Sequence, residues 1–303
     1  MFNIVRRFST RANHYWIRTV GKQGTPDYSV YLQKEENEAP ISLFHDLPLR
    51  PENAPNNVFN MVVEVPRWSN AKLEVSKKLT LNPIVQDTKK GKLRYVSNVF
   101  PFSGYIHNYG AIPQTWEDPC HKDENTGLKG DDDPVDVCDI GQKIGFTGQV
   151  KQVKVLGALA MLDEGETDWK IIAIDTADPL ADKMDDIDDV EKHMPGLLDA
   201  TRSWFRNYKI PDGKPPNEFA FEGQFKNKQF ALDIIDSTNA HWRRLINCED
   251  AKHQGGVSLT NRTLVNSPQY DPDAGSEVPQ GVVNPAQSNE EASDLEKWHF
   301  IKQ

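Results

Sequence analysis

"QVKQVKVLGALAMLDEGETDWKIIAID", Gln149 to Asp175, decides the fold class. Its flanks, 149–162 and 169–175, are rich in Val, Ile, Leu and Ala, and "DEGETD" between them is turn chemistry. Two apolar, β-branched runs joined so briefly read as an antiparallel hairpin. Working outward, "NMVVEVP" (60–66), "AKLEV" (71–75) and "LRYVS" (93–97) repeat the pattern, each punctuated by Gly, Pro or Asp. Many short strands of this kind suit an antiparallel barrel or sandwich better than a parallel sheet.

Two segments switch to helical period. Leu197, Thr201, Trp204, Phe205 and Tyr208 fall on one stripe of "GLLDATRSWFRNY"; Ala231, Ile234, Ile235, Thr238, Trp242 and Leu245 do so in "NKQFALDIIDSTNAHWRRLI". These stripes read as core-facing. The "DDIDD" run, Asp185–Asp189, reads as a solvated helix N-terminus, where the dipole favours acids.

The balance of the chain bounds its function. A net charge of −10 over 303 residues argues against general nucleic-acid binding, which needs a basic face. It leaves room for a small anion, because bound cations reverse the local sign. The longest apolar run, 155–162, is too short to cross a bilayer. Cys120, Cys138 and Cys248 are far apart and form no CxxC pair, so they read as reduced thiols.

Residues 1–26 contain five Arg or Lys (Arg6, Arg7, Arg11, Arg18 and Lys22) and no acid, in a chain averaging about one acid per seven residues. Arg-rich, hydroxyl-bearing and acid-free is the composition of a mitochondrial transit peptide; an ordinary basic arm is the alternative. The expected organisation is a transit peptide at 1–24, its cleavage point open with "RRFS" a candidate, and a body at 25–250. An irregular tail, 251–303, is expected to dock back onto the body through the apolar residues of "LEKWHFIKQ".

The chemistry lies in the acids. "GDDDPVDV" (130–137) crowds Asp131, Asp132, Asp133 and Asp136 together, and the hairpin adds Asp163, Glu164, Glu166 and Asp168. On a strand, Glu166, Asp168 and Lys170 share one face, with Trp169 and Ile171 opposite; Lys72 and Glu74 pair similarly against Leu73 and Val75. Mixed faces are ordinary on a solvated sheet, and each acid alone reads as a surface charge. Oxygen-dense sites suit hard cations such as Mg²⁺ or Mn²⁺. An EF-hand is excluded, since counting from Asp131 puts Asp136 at position 6 and Gln142 at position 12. Arg94, Tyr105, Tyr109, Tyr208, Lys209 and Lys214 are phosphate-binding types. Carboxylates for metals beside cations and phenols suit a small phosphoanhydride.

"GDDDPVDV", "LDEGETDWKIIAID", "GYIHNYGAIPQTWEDP", "NAKLEV" and "NYKIPDGKP" together resemble the soluble family I inorganic pyrophosphatases of eukaryotic type, from about Val58 to Ile246. The resemblance implies a mainly β fold with flanking helices (α+β), a five-stranded OB-like antiparallel barrel core, and a homodimer. It implies that Asp131, Asp136 and Asp168 ligate the tightest metal, with Asp163 and Glu74 near further ions. Asp133 would orient or deprotonate the attacking water, and Tyr105 would donate a proton. Lys72, Arg94, Tyr109, Lys170, Tyr208 and Lys209 would hold phosphate, with Glu64, Glu166 and Lys214 in support. The cofactor implied is several Mg²⁺, with Mn²⁺ or Co²⁺ able to substitute. The substrate it implies is pyrophosphate, split by a metal-activated hydroxide; the N-terminal composition adds an expected mitochondrial matrix location, and charge and run length an expectation of no nucleic-acid partner and no stable membrane insertion. Two rivals stand beside this: an Mg²⁺-dependent phosphatase of another small phosphate compound, and a non-catalytic OB-type binding protein.

Overall fold

The computed structural model describes residues 15–36, 38–248, 256–281 and 298–299. Five strands close on one another: β1 (Val58–Val65), β2 (Asn108–Ala111), β3 (Asp136–Asp139), β4 (Val150–Asp163) and β5 (Glu166–Asp175). The circuit runs β1–β2–β3–β5–β4 and back to β1. This is the expected five-stranded barrel, but only four of its seams are antiparallel; β3 and β5 run parallel. Parity requires it, because an odd number of strands in a closed ring cannot alternate direction at every seam.

The hairpin read from the sequence is β4–β5, with strands longer than expected. They enter the "DEGETD" segment until only Glu164 and Gly165 turn, at φ of 51° and 95°. Positive φ at both positions is the type I′ geometry that matches strand twist. The 14 residues of β4 reach β1 through Val150–Lys154 and β5 from Val153 onward, with a bulge between Val155 and Gly157. Leu156, Leu159, Met161, Trp169, Ile171, Ile172 and Ile174 are all buried, each large apolar side chain contributing about 1.5–3 kcal/mol on transfer from water.

A second bulge matters more for function. β1 and β2 pair Val63 with Gly110 and Val65 with Tyr109, so Glu64 is the extra residue. A bulge re-aims the side chain it carries, and the Glu64 carboxylate is buried, accepting from the Val75 amide at 2.7 Å. Gly110 permits this approach: a Cβ there would meet the Val62 carbonyl oxygen at 1.8 Å.

Two apolar assemblies flank the strands. One joins Phe59, Val137, Trp169 and Ile171 to Ala231, Ile234 and Ile235 of helix α3 (Lys228–Ile246). The other joins Ile172, Ile174 and Leu159 to Ile187 and Val190 of α1 (Ile187–His193) and Trp204 and Phe205 of α2 (Leu197–Asn207). Both expected helices are present. Asp186 caps α1 in a reciprocal box with Asp189.

A separate four-stranded sheet joins Trp16–Val20, Ser29–Gln33, Ile84–Gln86 and Leu73–Val75. Trp16–Val20 pairs with Ser29–Gln33 along all five residues, so cleavage as late as residue 24 would remove a strand. "LRYVS" forms less strand than expected: Lys92–Leu93 pairs with Thr88–Lys89, and Tyr95 meets Ala71 in an isolated bridge. In the described tail, Val257 and Leu259 are buried, and Asp46 accepts from the amides of Arg262 and Thr263. Trp298–His299 pairs with Asn98–Val99; residues 1–14 of the expected transit peptide and the rest of the tail lie outside the described residues.

Candidate active site

The aspartate turn is fixed before any ligand is considered. The amide of Glu117 donates to the Asp133 carbonyl and the amide of Asp132 to the Glu117 carbonyl, both at 2.9 Å. Asp131 Oδ1 accepts from the Asp133 amide at 3.0 Å, and Asp132 takes φ of 70°. The Asp132 side chain accepts from Trp116 Nε1 at 3.0 Å, directing it away from its neighbours' work. Lys77 spans the outer pair, 3.0 Å from Asp132 Oδ2 and 2.8 Å from Asp133 Oδ1.

Barrel closure supplies the next layer. On the parallel seam, Asp136 of β3 lies in register with Lys170 of β5. The Lys170 ammonium is 2% exposed; it donates to Asp136, to Asp168 Oδ1 at 2.6 Å and to the Tyr109 hydroxyl at 2.9 Å. Tyr109 in turn donates to Asp136. As expected, Asp168 and Lys170 share a face, with Trp169 and Ile171 in the opposite core.

Beside them, oxygens of Glu117, Asp131 and Asp168 lie within 4.8 Å of one another. Glu117 Oε1 accepts from the Trp169 amide at 3.0 Å, while its buried Oε2 has no partner among the described residues. Asp163 shows the same asymmetry: one oxygen is bound by Lys209 and the buried Oδ1 has no partner. Unpaired carboxylate oxygens are costly to bury. Burial, then mutual repulsion with Asp168, Asp133 and Asp136, pushes the Asp131 carboxyl far above its usual range. Burial lifts Glu117 likewise, reinforced by Asp131 and Asp168. Asp168 rises to about 7, burial outweighing the help of Lys170. Three hard oxygens crowded this way suit a divalent cation, which removes desolvation and repulsion together.

A basic and phenolic rim faces these acids. Lys72 bridges Glu74 at 2.6 Å and Asp87 at 3.2 Å, and Asp87 also binds Arg94 at 2.5 Å. Burial opposes the Lys72 charge, but Glu74 and Asp87 overrule it and hold the ammonium firmly protonated. Tyr105 packs between Tyr109 and Trp204, ring centroids 5.0 and 5.1 Å apart, and Tyr208 stacks on Trp204 at 4.9 Å. Burial raises all three tyrosine hydroxyls, keeping them protonated as donors. Burial, with Asp136 and Glu74 nearby, also lifts Glu64.

The structure thus gathers Glu64, Lys72, Glu74, Arg94, Tyr105, Tyr109, Asp131, Asp133, Asp136, Asp163, Asp168, Lys170, Tyr208 and Lys209 into one connected network of bonds and fields. Two sequence-derived candidates stay outside it. Glu166 is exposed at the start of β5, where its backbone pairs with Asp163 but its side chain makes no hydrogen bond or ion pair among the described residues, and Lys214 pairs at 2.8 Å with the exposed Glu164 of the turn. His107 is a structural group, bonded to Thr201 Oγ1 at 2.8 Å, and Cys138 is a buried thiol. Sequence reasoning missed Glu117, Asp87 and Lys77. Glu117 had a signal, a carboxylate ending the apolar "AIPQTW" run; Asp87 and Lys77 sit in ordinary polar stretches.

The family model described as inorganic pyrophosphatase matches residues 61–243. A Yarrowia lipolytica protein of that name is 56% identical over 288 residues, covering 95% of this chain and 97% of its own. The solved inorganic pyrophosphatase of Schistosoma japonicum superposes with a TM-score of 0.87 at 48% identity, covering 95% of this chain and all of that one. A truncated vacuolar soluble pyrophosphatase of Trypanosoma cruzi, solved in complex with PPi, gives a TM-score of 0.71 at 39% identity, covering 81% of this chain and 97% of that one.

Proposed function

This chain belongs to the inorganic pyrophosphatases, a family of metal-dependent enzymes, and from that premise we propose that it splits pyrophosphate into two phosphates at the network around Asp131 and Asp168. The observation that carries the assignment to this network is the triad of Glu117, Asp131 and Asp168, in which Glu117 also keeps a buried oxygen without a partner among the described residues, set beside the Lys and Tyr rim. Mg²⁺ is the proposed ion, with Mn²⁺ or Co²⁺ as substitutes, held by Asp131, Asp136 and Asp168 with Asp163 and Glu74 serving further ions. When bound, such ions lower the pKa of water and neutralise phosphoryl oxygens.

The residues of the chain divide the remaining work. Asp133, oriented by Lys77 and its own turn, accepts the proton of the attacking water. Lys72, Arg94, Lys170 and Lys209 hold the phosphoryl oxygens, their present carboxylate partners being exchanged for substrate and ions. Tyr109 and Tyr208 donate to the same oxygens, and Tyr105 donates a proton toward the leaving phosphate. Glu64, buried on its bulge and bonded to the Val75 amide, supports this arrangement. Contacts that tighten as negative charge moves to the leaving oxygen lower the barrier. Phosphate release from pyrophosphate with Mg²⁺, set against chelator and against a phosphomonoester, tests the assignment. Equal release from the monoester would favour the broader phosphatase, and no release the binding protein. The net charge of −10 speaks against a nucleic-acid partner, and among the described residues no helix is long and apolar enough to cross a membrane.

A homodimer is the proposed assembly. Trp68 and Phe100, 59% and 57% exposed, lie on loops that adjoin where Gly104 abuts Ser69. Sedimentation of Trp68→Ser as a monomer beside a wild-type dimer supports it; an unchanged mass refutes it. The proposed location is the mitochondrial matrix, supported by the acid-free first 26 residues. Since Trp16–Val20 is a paired strand, the proposed cleavage falls before Tyr15. Deleting residues 2–14 should abolish import while keeping activity, and a deletion variant still found in mitochondria rejects the presequence.

A further inference from the structure

A net charge of −10 is a handicap for a chain that must capture an anion, since long-range repulsion slows the encounter. The charge is not spread evenly. Between Asp87 and Glu117 there is no acid, in a chain averaging about one per seven residues. The start of that stretch, "TKKGKLR" (88–94), carries Lys89, Lys90, Lys92 and Arg94.

These residues fold as a tight hairpin. Lys89 pairs with Lys92 and Thr88 with Leu93, while Lys90 and Gly91 turn at φ of 54° and 75°, the type I′ form. Turn chemistry favours Asn, Asp or Gly at the first of these positions, so the lysine there is carried against backbone preference. The base of the hairpin is fastened to the rim of the candidate active site. The Arg94 amide donates to the Asp87 carbonyl at 2.8 Å, the Asp87 amide to the Lys72 carbonyl at 2.9 Å, and the Lys72 amide to the Arg94 carbonyl at 3.1 Å. The Asp87 carboxylate binds Lys72 and Arg94 on one face. Side chains alternate along a strand, so Lys89 and Lys92 share that face, about 7 Å further out.

The cations of the site and those of the hairpin differ in what they hold. Lys72, Lys77, Lys170 and Lys209 are each engaged by carboxylates. Lys89, Lys90 and Lys92 are exposed and make no ion pair among the described residues, so their charge is unspent. Its reach in about 0.1 M salt, a Debye length of about 10 Å, exceeds the step back to Arg94.

We propose that the Thr88–Leu93 hairpin is an electrostatic guide that draws the pyrophosphate anion to the rim at Lys72 and Arg94 and takes no part in bond cleavage. The inference rests on the hydrolytic reading and deepens it, assigning capture to residues outside the reacting network.

The test is turnover of the full chain on pyrophosphate at fixed free Mg²⁺ over a range of ionic strength. Three proteins are compared: wild type, the triple variant Lys89→Gln, Lys90→Gln, Lys92→Gln, and a control triple, Lys34→Gln, Lys122→Gln, Lys183→Gln. The control makes the same change in net charge at exposed lysines on other segments. The hairpin triple should keep kcat within ~2-fold, because capture and chemistry are separate steps. Its kcat/KM should fall at least ~5-fold at about 0.01 M ionic strength and return toward the wild-type value near about 1 M, where screening is short. The control should track wild type throughout. Equal kcat/KM for the hairpin triple and wild type at low salt, a loss that persists at high salt, an equal loss in the control, or a loss in kcat instead would each overturn the guide while leaving hydrolysis intact. Absence of turnover in wild type would strike the hydrolytic reading itself, and the guide with it.

Discussion

Replacing Lys170 by methionine in the presence of chelator isolates what its ammonium does. The side chain is 2% exposed and lies against Asp136 and Asp168, whose side chains are 16% and 6% exposed. Methionine fills most of the same volume, so packing changes little and charge changes by one unit. Removing one partner of a buried ion pair costs about 3–5 kcal/mol, because the others stay desolvated and unpaired. At roughly 2 °C per kcal/mol for a chain of this size, thermal unfolding should fall by about 6–10 °C.

The sign with pH follows from Asp168, already raised to about 7 with Lys170 present. Without the lysine its carboxyl rises further. Above pH 7 the variant then holds a proton that wild type has released, and its relative stability falls as pH rises. The slope is at most about 1.4 kcal/mol per pH unit for each carboxylate. Saturating Mg²⁺ should restore much of the loss, since the dication takes the place of the missing ammonium and so binds the variant's unpaired carboxylates more tightly than wild type's, each tenfold difference in Kd being worth about 1.4 kcal/mol of relative stability. Calorimetric melts at pH 7, 8 and 9, with chelator and with Mg²⁺, decide the matter. A loss below about 1 kcal/mol in chelator, or an equal loss with Mg²⁺, would refute the counter-charge argument.

Asp133→Asn should bind metal normally but lose roughly 10²–10⁴ in kcat, the usual worth of a positioned base; near-normal turnover removes it from the mechanism. Lys77→Ala takes away the cation that holds Asp133 down against burial, so the acid limb of kcat/KM should move to higher pH, and an unmoved limb excludes that coupling. Glu117→Gln preserves an acceptor for the Trp169 amide but removes a charge from the triad. Half-saturating metal in the turnover assay should rise at least ~10-fold, and an unchanged requirement would place Glu117 in a structural role only.

The hairpin β4–β5 was legible because β-branched apolar runs and a Gly-containing turn are local signals, and both helices were legible because their apolar stripes are complete. The parallel seam was not, since Asp136 and Lys170 are 34 positions apart and nothing near either announces the other. Motif segments rich in acid led to Asp131, Asp133, Asp136 and Asp168 and missed Glu117, whose importance comes from burial beneath Trp169. Lys77 and Asp87 escaped for the opposite reason: in sequence they are ordinary surface charges, and only the tertiary fold turns them inward. Glu166 shares a strand face with Asp168, as period two demands, yet lies too near the strand's exposed end to join it.

The odd strand count also acts as a certificate of completion. Until the parallel seam that this count imposes has formed, Asp136 and Lys170 have no reason to meet, and the chemistry has no place to occur. A half-assembled chain is therefore inert toward phosphoanhydrides by geometry alone, without any inhibitor segment to keep it so.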